Sequence, residues 1–184
     1  MSGGDAWYFA YGANMSTRVL AGHRGVRPSS SEAATLDGFR LVFDLRGLPK
    51  VEPGFASVRR SADGCADRVE GVLHRLSHRD LRAVETSESP RYQWIDVEVV
   101  GSSAGRVVAR TLQNRRPTDG LIPSRRYLSL IVEGAREHRL SDEWIARLQA
   151  QPCAHVPYLS PLLDLIPATA LRIGRGVRAI SRLR

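Results

Sequence analysis

Two short stretches carry the residue types that chemistry would need. In "WYFAYGANMS", residues 7–16, an aromatic and apolar run breaks into Gly12, Ala13 and Asn14. A strand that stops in small and polar residues exposes backbone N–H groups, and a glycine lets that backbone approach a ligand closely. Where such a turn feeds a helix, here from Ser16, the N–H groups attract a carboxylate or a phosphate. The same residues also suit an ordinary strand-to-helix turn, so the loop alone does not define a site. The second stretch is "VETSESPRY", in which Glu85 and Glu88 stand where a helix gives way to a strand beginning at Tyr92. A carboxylate facing a largely apolar barrel mouth could exchange protons near neutrality, whereas one on a solvated helix end would be inert.

Other chemistries lack their residues. No serine sits in a nucleophile elbow, and His23, His74, His78, His138 and His155 show no metal-ligand spacing. Cys65 and Cys153 lack the spacing of a zinc site and are expected as free thiols. These residues give no metal site.

The elements that must position these residues follow from periodicity. "WYFAYG", "FRLVFD", "FASVRR", "VEGVLHRL", "YQWIDVEVV" and "RVVARTLQ" are short apolar runs separated by turn residues, which predicts a largely antiparallel sheet or barrel. Helical spacing occurs in "SHRDLRAVETSE", "SRRYLSLIVEGAREH" and "SDEWIARLQAQ", with Ser77, Ser124 and Ser141 as N-caps and Pro152 as a stop. Strands first and helices late argue for an α+β domain rather than a doubly wound α/β fold.

The chain has 184 residues, a length that suits one domain with an appended tail. No apolar run reaches the roughly 18 residues of a membrane span, and the N-terminus goes straight into the aromatic run without a secretory pattern, so a cytoplasmic protein is expected. The formal charge is +8, carried by arginine because Lys50 is the only lysine. The last fourteen residues, "LRIGRGVRAISRLR", hold five arginines and no acid, so no nucleic-acid face is expected on the main body. From just before this stretch Ala170, Ile173, Val177 and Ile180 recur at helical spacing. That pattern predicts a basic amphipathic helix covering the domain or a second subunit, or docking peripherally on an anionic membrane.

Taken together, the motifs resemble the γ-glutamylcyclotransferase superfamily, which includes γ-glutamylamine cyclotransferases and AIG2-like proteins. "YFAYGAN" is similar to that family's Tyr-Gly-Ser-Asn loop, with Ala13 in place of the serine. "FASVRRSADGCADRVEGVLHRLSHRDLRAVETSE" resembles its run of strand, turn, strand and helix, "YQWIDVEV" its Tyr-led strand, and "PSRRYLSLIVEGAREHRLSDEWIARLQAQP" its final helical pair. The resemblance implies a small mixed, largely antiparallel β-barrel with a few flanking helices over residues 1–152, leaving 153–184 as the tail. It implies release of 5-oxoproline and an amine or amino acid from a γ-glutamyl amide, without a cofactor. By resemblance Tyr11, Gly12, Ala13, Asn14 and Met15 would bind the γ-glutamyl end, Glu88 would be the acid/base, and Tyr92 and Tyr127 would line the pocket. Two departures bear on that assignment: Ser89-Pro90 follows Glu88 where the family has glycine, and the segment to Tyr92 is shorter. Counting from the helix favours Glu88, and counting back from Tyr92 favours Glu85. A non-catalytic ligand-binding or partner-interaction module of the same fold is the alternative.

Overall fold

The computed structural model describes residues 5–48, 52–62 and 66–154, so Cys65 and the expected tail helix lie outside the described residues. These residues form strands β1 (Ala6–Ala10), β2 (Ser30–Asp37), β3 (Phe39–Leu48), β4 (Glu52–Arg60) and β5 (Arg68–Leu76), helix α1 (His78–Ser87), strands β6 (Tyr92–Gly101) and β7 (Gly105–Asn114), and helices α2 (Arg125–Glu137) and α3 (Asp142–Gln149). A 3-10 turn at Ala13–Met15 and a short helical segment at Val19–His23 follow β1.

Strands β1, β5, β2, β6 and β7 close into a barrel in that order. All neighbours run antiparallel except β1 and β7, which meet in parallel where Tyr8 faces Arg110. β5, paired with β1 on one edge and β2 on the other, buries seven of its nine residues. β3 and β4 form a separate hairpin with a bulge between Phe43 and Leu45. The bulge aims the buried Asp44 inward, where it accepts from Arg59 at 3.0 Å and from Asn114 at 3.1 Å. Those bonds, with Asn114 N–H donating to Ser57 Oγ at 2.9 Å, fasten the hairpin to the end of β7.

All three helices start as their sequences dictate. Ser77, Ser124 and Ser141 each accept the backbone N–H three residues on, from Asp80, Tyr127 and Trp144, and each such cap stabilises by about 1 kcal/mol. α2 buries Tyr127, Leu128, Ile131, Val132 and Ala135 along one face. After α3 the chain returns to the start of α2, where Ala154 N–H donates to Pro123 O at 2.8 Å and Ala154 O accepts from Arg125 N–H at 2.9 Å. No helix among the described residues is long and apolar enough to cross a membrane.

One expectation is corrected locally. β2, "SSEAATLD", was absent from the strands expected from sequence; it carries few β-branched or aromatic residues and is held by pairing with β5 along its whole length. β1 ends at Ala10, and the helix expected from Ser16 starts with the Ser16 carbonyl accepting from Val19 and Leu20, while its buried hydroxyl has no partner among the described residues.

Candidate active site

β1 delivers the loop 11–15 to the end of the barrel. Tyr11 is buried and donates its hydroxyl to Leu112 O at 2.5 Å, which ties the loop's first residue to β7. Met15 is fully buried beneath α2, where Gly134 leaves room: a Cβ on Gly134 would lie 2.7 Å from Met15 Cβ. Gly12 and Ala13 are half-buried, and the N–H groups of Gly12, Ala13 and Asn14 have no acceptor among the described residues. Gly12 also lets the backbone pass Tyr127, whose hydroxyl would be 3.2 Å from an added Cβ.

Asn14 is the junction. Its Nδ2 donates to Tyr8 Oη at 2.8 Å and to Glu88 Oε1 at 2.9 Å, and its Oδ1 accepts from Arg24 Nε at 2.8 Å. Its backbone carbonyl accepts from Nε2 of the buried His74 at 3.1 Å. Since a carbonyl only accepts, Nε2 carries the proton, and Nδ1 accepts from Ser31 Oγ at 2.7 Å. Burial, aided by nearby His138, pushes the imidazole pKa down to about 3, so the ring is neutral.

Glu88 caps the C-terminus of α1 in an extended conformation. Pro90 prevents the helix from continuing, and Tyr92 N–H donates to Ser89 O at 3.0 Å in a tight turn. The shortened segment thus brings Glu88 and Tyr92 to the same site. The carboxylate, 14% exposed, pairs with Arg24 Nη2 at 2.6 Å, and the guanidinium is 11% exposed. Glu85, one turn earlier, is exposed to solvent.

Tyr92 and Tyr127 converge on Ala56 of β4: Tyr92 Oη donates to its carbonyl at 2.6 Å, and Tyr127 Oη accepts from its N–H at 3.2 Å. Burial raises the pKa of Tyr8, Tyr11, Tyr92 and Tyr127, and the Glu88 charge raises each further. The phenols therefore stay protonated. Tyr11 and Tyr92 spend their protons on carbonyls, whereas those of Tyr8 and Tyr127 meet no acceptor among the described residues. The result is one carboxylate, paired with the Arg24 guanidinium and surrounded by neutral phenols and backbone N–H groups, a site that can hold an anionic group and move a proton. No group of three His, Cys, Asp or Glu among the described residues could hold a metal ion.

Residues 68–148 match the AIG2-like family. The γ-glutamyl cyclotransferase gliK of Aspergillus fumigatus is 34% identical over 73% of this chain, which spans 58% of that protein's length. The γ-glutamyl cyclotransferase aclK of Aspergillus oryzae is 28% identical over 96% of this chain and 81% of its own. A solved γ-glutamyl cyclotransferase structure superposes with a TM-score of 0.70 at 22% identity, over 88% of this chain and 99% of that one. The AIG2-like match, these relatives and the shared fold support the γ-glutamylcyclotransferase/AIG2-like superfamily for this chain.

The structure brings Tyr11 to Met15 together with Glu88, Tyr92 and Tyr127, and leaves Glu85 in solvent. Two site residues were missed from sequence. Tyr8 was hidden as one more aromatic in a core strand, although it lies on the same strand face as Ala10, at the loop's edge. Arg24 had no signal at all, since arginine carries nearly all the positive charge of this chain.

Proposed function

We propose that this protein is a γ-glutamylcyclotransferase, which closes the γ-glutamyl part of a γ-glutamyl amide into 5-oxoproline and releases an amine or amino acid. The observation that carries the reading is the meeting of Glu88 with the loop's Asn14, beside three N–H groups that have no acceptor among the described residues. Those N–H groups hold the substrate's α-carboxylate. The substrate's own α-amine attacks its γ-carbonyl, forming the ring C–N bond, and the bond to the leaving amine breaks. The α-nitrogen loses two protons in becoming the ring amide: Glu88 takes one from the α-ammonium and delivers it to the leaving nitrogen, then takes the second from the ring nitrogen and passes it to the departing amine, which leaves as an ammonium ion, so no water or oxidant enters the balance. Attachment of the nucleophile supplies much of the rate once the chain is folded into a near-attack geometry. Ala13 in place of serine keeps the backbone donor and loses only a hydroxyl.

The test is mass spectrometry for 5-oxoproline after incubation with glutathione, a γ-glutamyl dipeptide and a γ-glutamylamine. Glu88→Gln should lose about 10²- to 10⁴-fold in turnover, and Glu85→Gln should keep it. Ligand binding without product in the wild type would overturn the catalytic reading in favour of a binding module.

Two further readings rest on sequence. We place the protein in the cytoplasm, supported by two cysteines without framework spacing and tested by fractionation. For residues 153–184, five arginines beside an apolar spacing support peripheral contact with an anionic membrane or a second subunit. Salt-sensitive co-sedimentation with anionic vesicles, lost in a chain ending at Ala154, tests the membrane contact; particle size in solution tests the other. Ending the chain at Ala154 spares its bonds to Pro123 and Arg125.

A further inference from the structure

We infer that Arg24 is a positioning residue of this site: its guanidinium locks Glu88 Oε1 and the Asn14 carboxamide into one ring, leaving Oε2 as the oxygen that moves the proton. The inference rests on the γ-glutamylcyclotransferase reading and deepens it.

Each nitrogen of the guanidinium has its own partner. Nε donates to Asn14 Oδ1 at 2.8 Å, Nη2 pairs with Glu88 Oε1 at 2.6 Å, and Nη1 donates to Ser87 Oγ. Asn14 Nδ2 closes the ring by donating to the same Oε1 at 2.9 Å. The fork therefore joins the loop after β1 to the end of α1, two segments that no backbone bond connects directly. The Asn14 hydrogen bond and the shortest Arg24 contact both fall on Oε1, and Oε2 takes part in no hydrogen bond among the described residues.

This division matters because Glu88 sits on extended backbone past the last helical turn, with Ser89 and Pro90 after it. No helical neighbour restrains its side chain, so its aim comes from Arg24 and Asn14. Arg24 also fixes which end of the Asn14 amide faces the carboxylate, since donation to Oδ1 leaves Nδ2 for Glu88. A lysine would bring the charge as a point and could not serve three partners in one plane. The guanidinium is spent on protein groups, so it is not the anchor for the substrate's carboxylate.

The experiment is steady-state kinetics of Arg24→Lys and Arg24→Ala, with circular dichroism as a folding check, on whichever γ-glutamyl compound the wild type converts to 5-oxoproline. Misaiming a reacting group by about 1 Å costs up to about 10²-fold, so kcat should fall about 10- to 100-fold in both variants, with KM within about threefold. Millimolar guanidinium ion should restore part of the kcat of Arg24→Ala, and none of that of Arg24→Lys or Glu88→Gln. Full kcat in Arg24→Lys would overturn the inference, because charge alone would then suffice. A raised KM at unchanged kcat would make Arg24 a substrate-binding residue and overturn it too, as would loss of folding in both variants. If the wild type converts no compound, the cyclotransferase reading fails and takes this role with it; wild-type activity with unaffected variants sinks Arg24 alone.

Discussion

The Asn14 carboxamide and the Glu88 carboxylate, 74 residues apart in sequence, meet at 2.9 Å. The pair also gathers Tyr8 and Arg24, since Asn14 donates to the first and accepts from the second. Asn14→Asp tests it with almost no change of shape. The substitution removes both Nδ2 donors and sets a second carboxylate against the first. Turnover should fall at least about 10²-fold, and stability in urea should drop by about 1–3 kcal/mol as buried partners lose their bonds. Wild-type turnover in this variant would detach the loop from the chemistry.

Gly12→Val examines the loop as a binding element. The first side-chain carbon would lie 3.2 Å from Tyr127 Oη and 3.6 Å from Ala56 Cβ, and the branched methyls have less room still. Affinity for a non-hydrolysable γ-glutamyl analogue, measured by calorimetry, should weaken about tenfold or more, at about 1.4 kcal/mol per factor of ten. Ala13→Ser should bind as the wild type does. Equal affinity in Gly12→Val would return the loop to an ordinary turn.

Legibility from sequence followed how local each cause was. The helix starts at Ser77, Ser124 and Ser141 depend on a side chain and an N–H three residues away, so they could be read directly. Six strands announced themselves through aromatic and β-branched runs. β2 did not, because what makes Ser30–Asp37 a strand is the partner on either side, β5 and β6, both far along the chain. The site divides in the same way. Loop 11–15 and Glu88 carry local signatures, whereas Arg24 gains its meaning from Asn14 and Ser87, the latter 63 residues away. The choice between Glu85 and Glu88 also escaped counting, because it turns on which side of the last α1 turn faces Asn14.

His74 predicts the acid limit of stability. Its pKa falls from the ordinary 6.5 to about 3, chiefly through burial. The unfolded chain therefore binds a proton below 6.5 that the folded one refuses until about 3. Stability from this group is complete above 6.5 and is lost as pH falls toward 3, at up to about 1.4 kcal/mol per pH unit. His74→Gln keeps a donor for Asn14 O and an acceptor for Ser31. Urea melts of both proteins between about pH 6 and 4.5 should show the wild type losing more stability by about 2 kcal/mol. Parallel curves would mean that His74 titrates normally in the folded state.

Gly134→Ala sets helix propensity against packing. Alanine inside α2 should gain about 1 kcal/mol over glycine. At this position, however, its Cβ would lie 2.7 Å from Met15 Cβ, 2.8 Å from Ser16 N and 3.0 Å from Met15 C. Two of those neighbours are backbone and cannot rotate aside, so α2 must move off the loop. Overpacking costs about 1–3 kcal/mol, which exceeds the propensity gain and should lower the melting temperature. The displacement also carries Tyr127 away from Ala56, so KM should rise while kcat changes less. Gly22→Ala is the control, since nothing lies within 4 Å of its added carbon, and it should leave KM unchanged. A higher melting temperature with unaltered KM in Gly134→Ala would show that the loop does not need α2 this close.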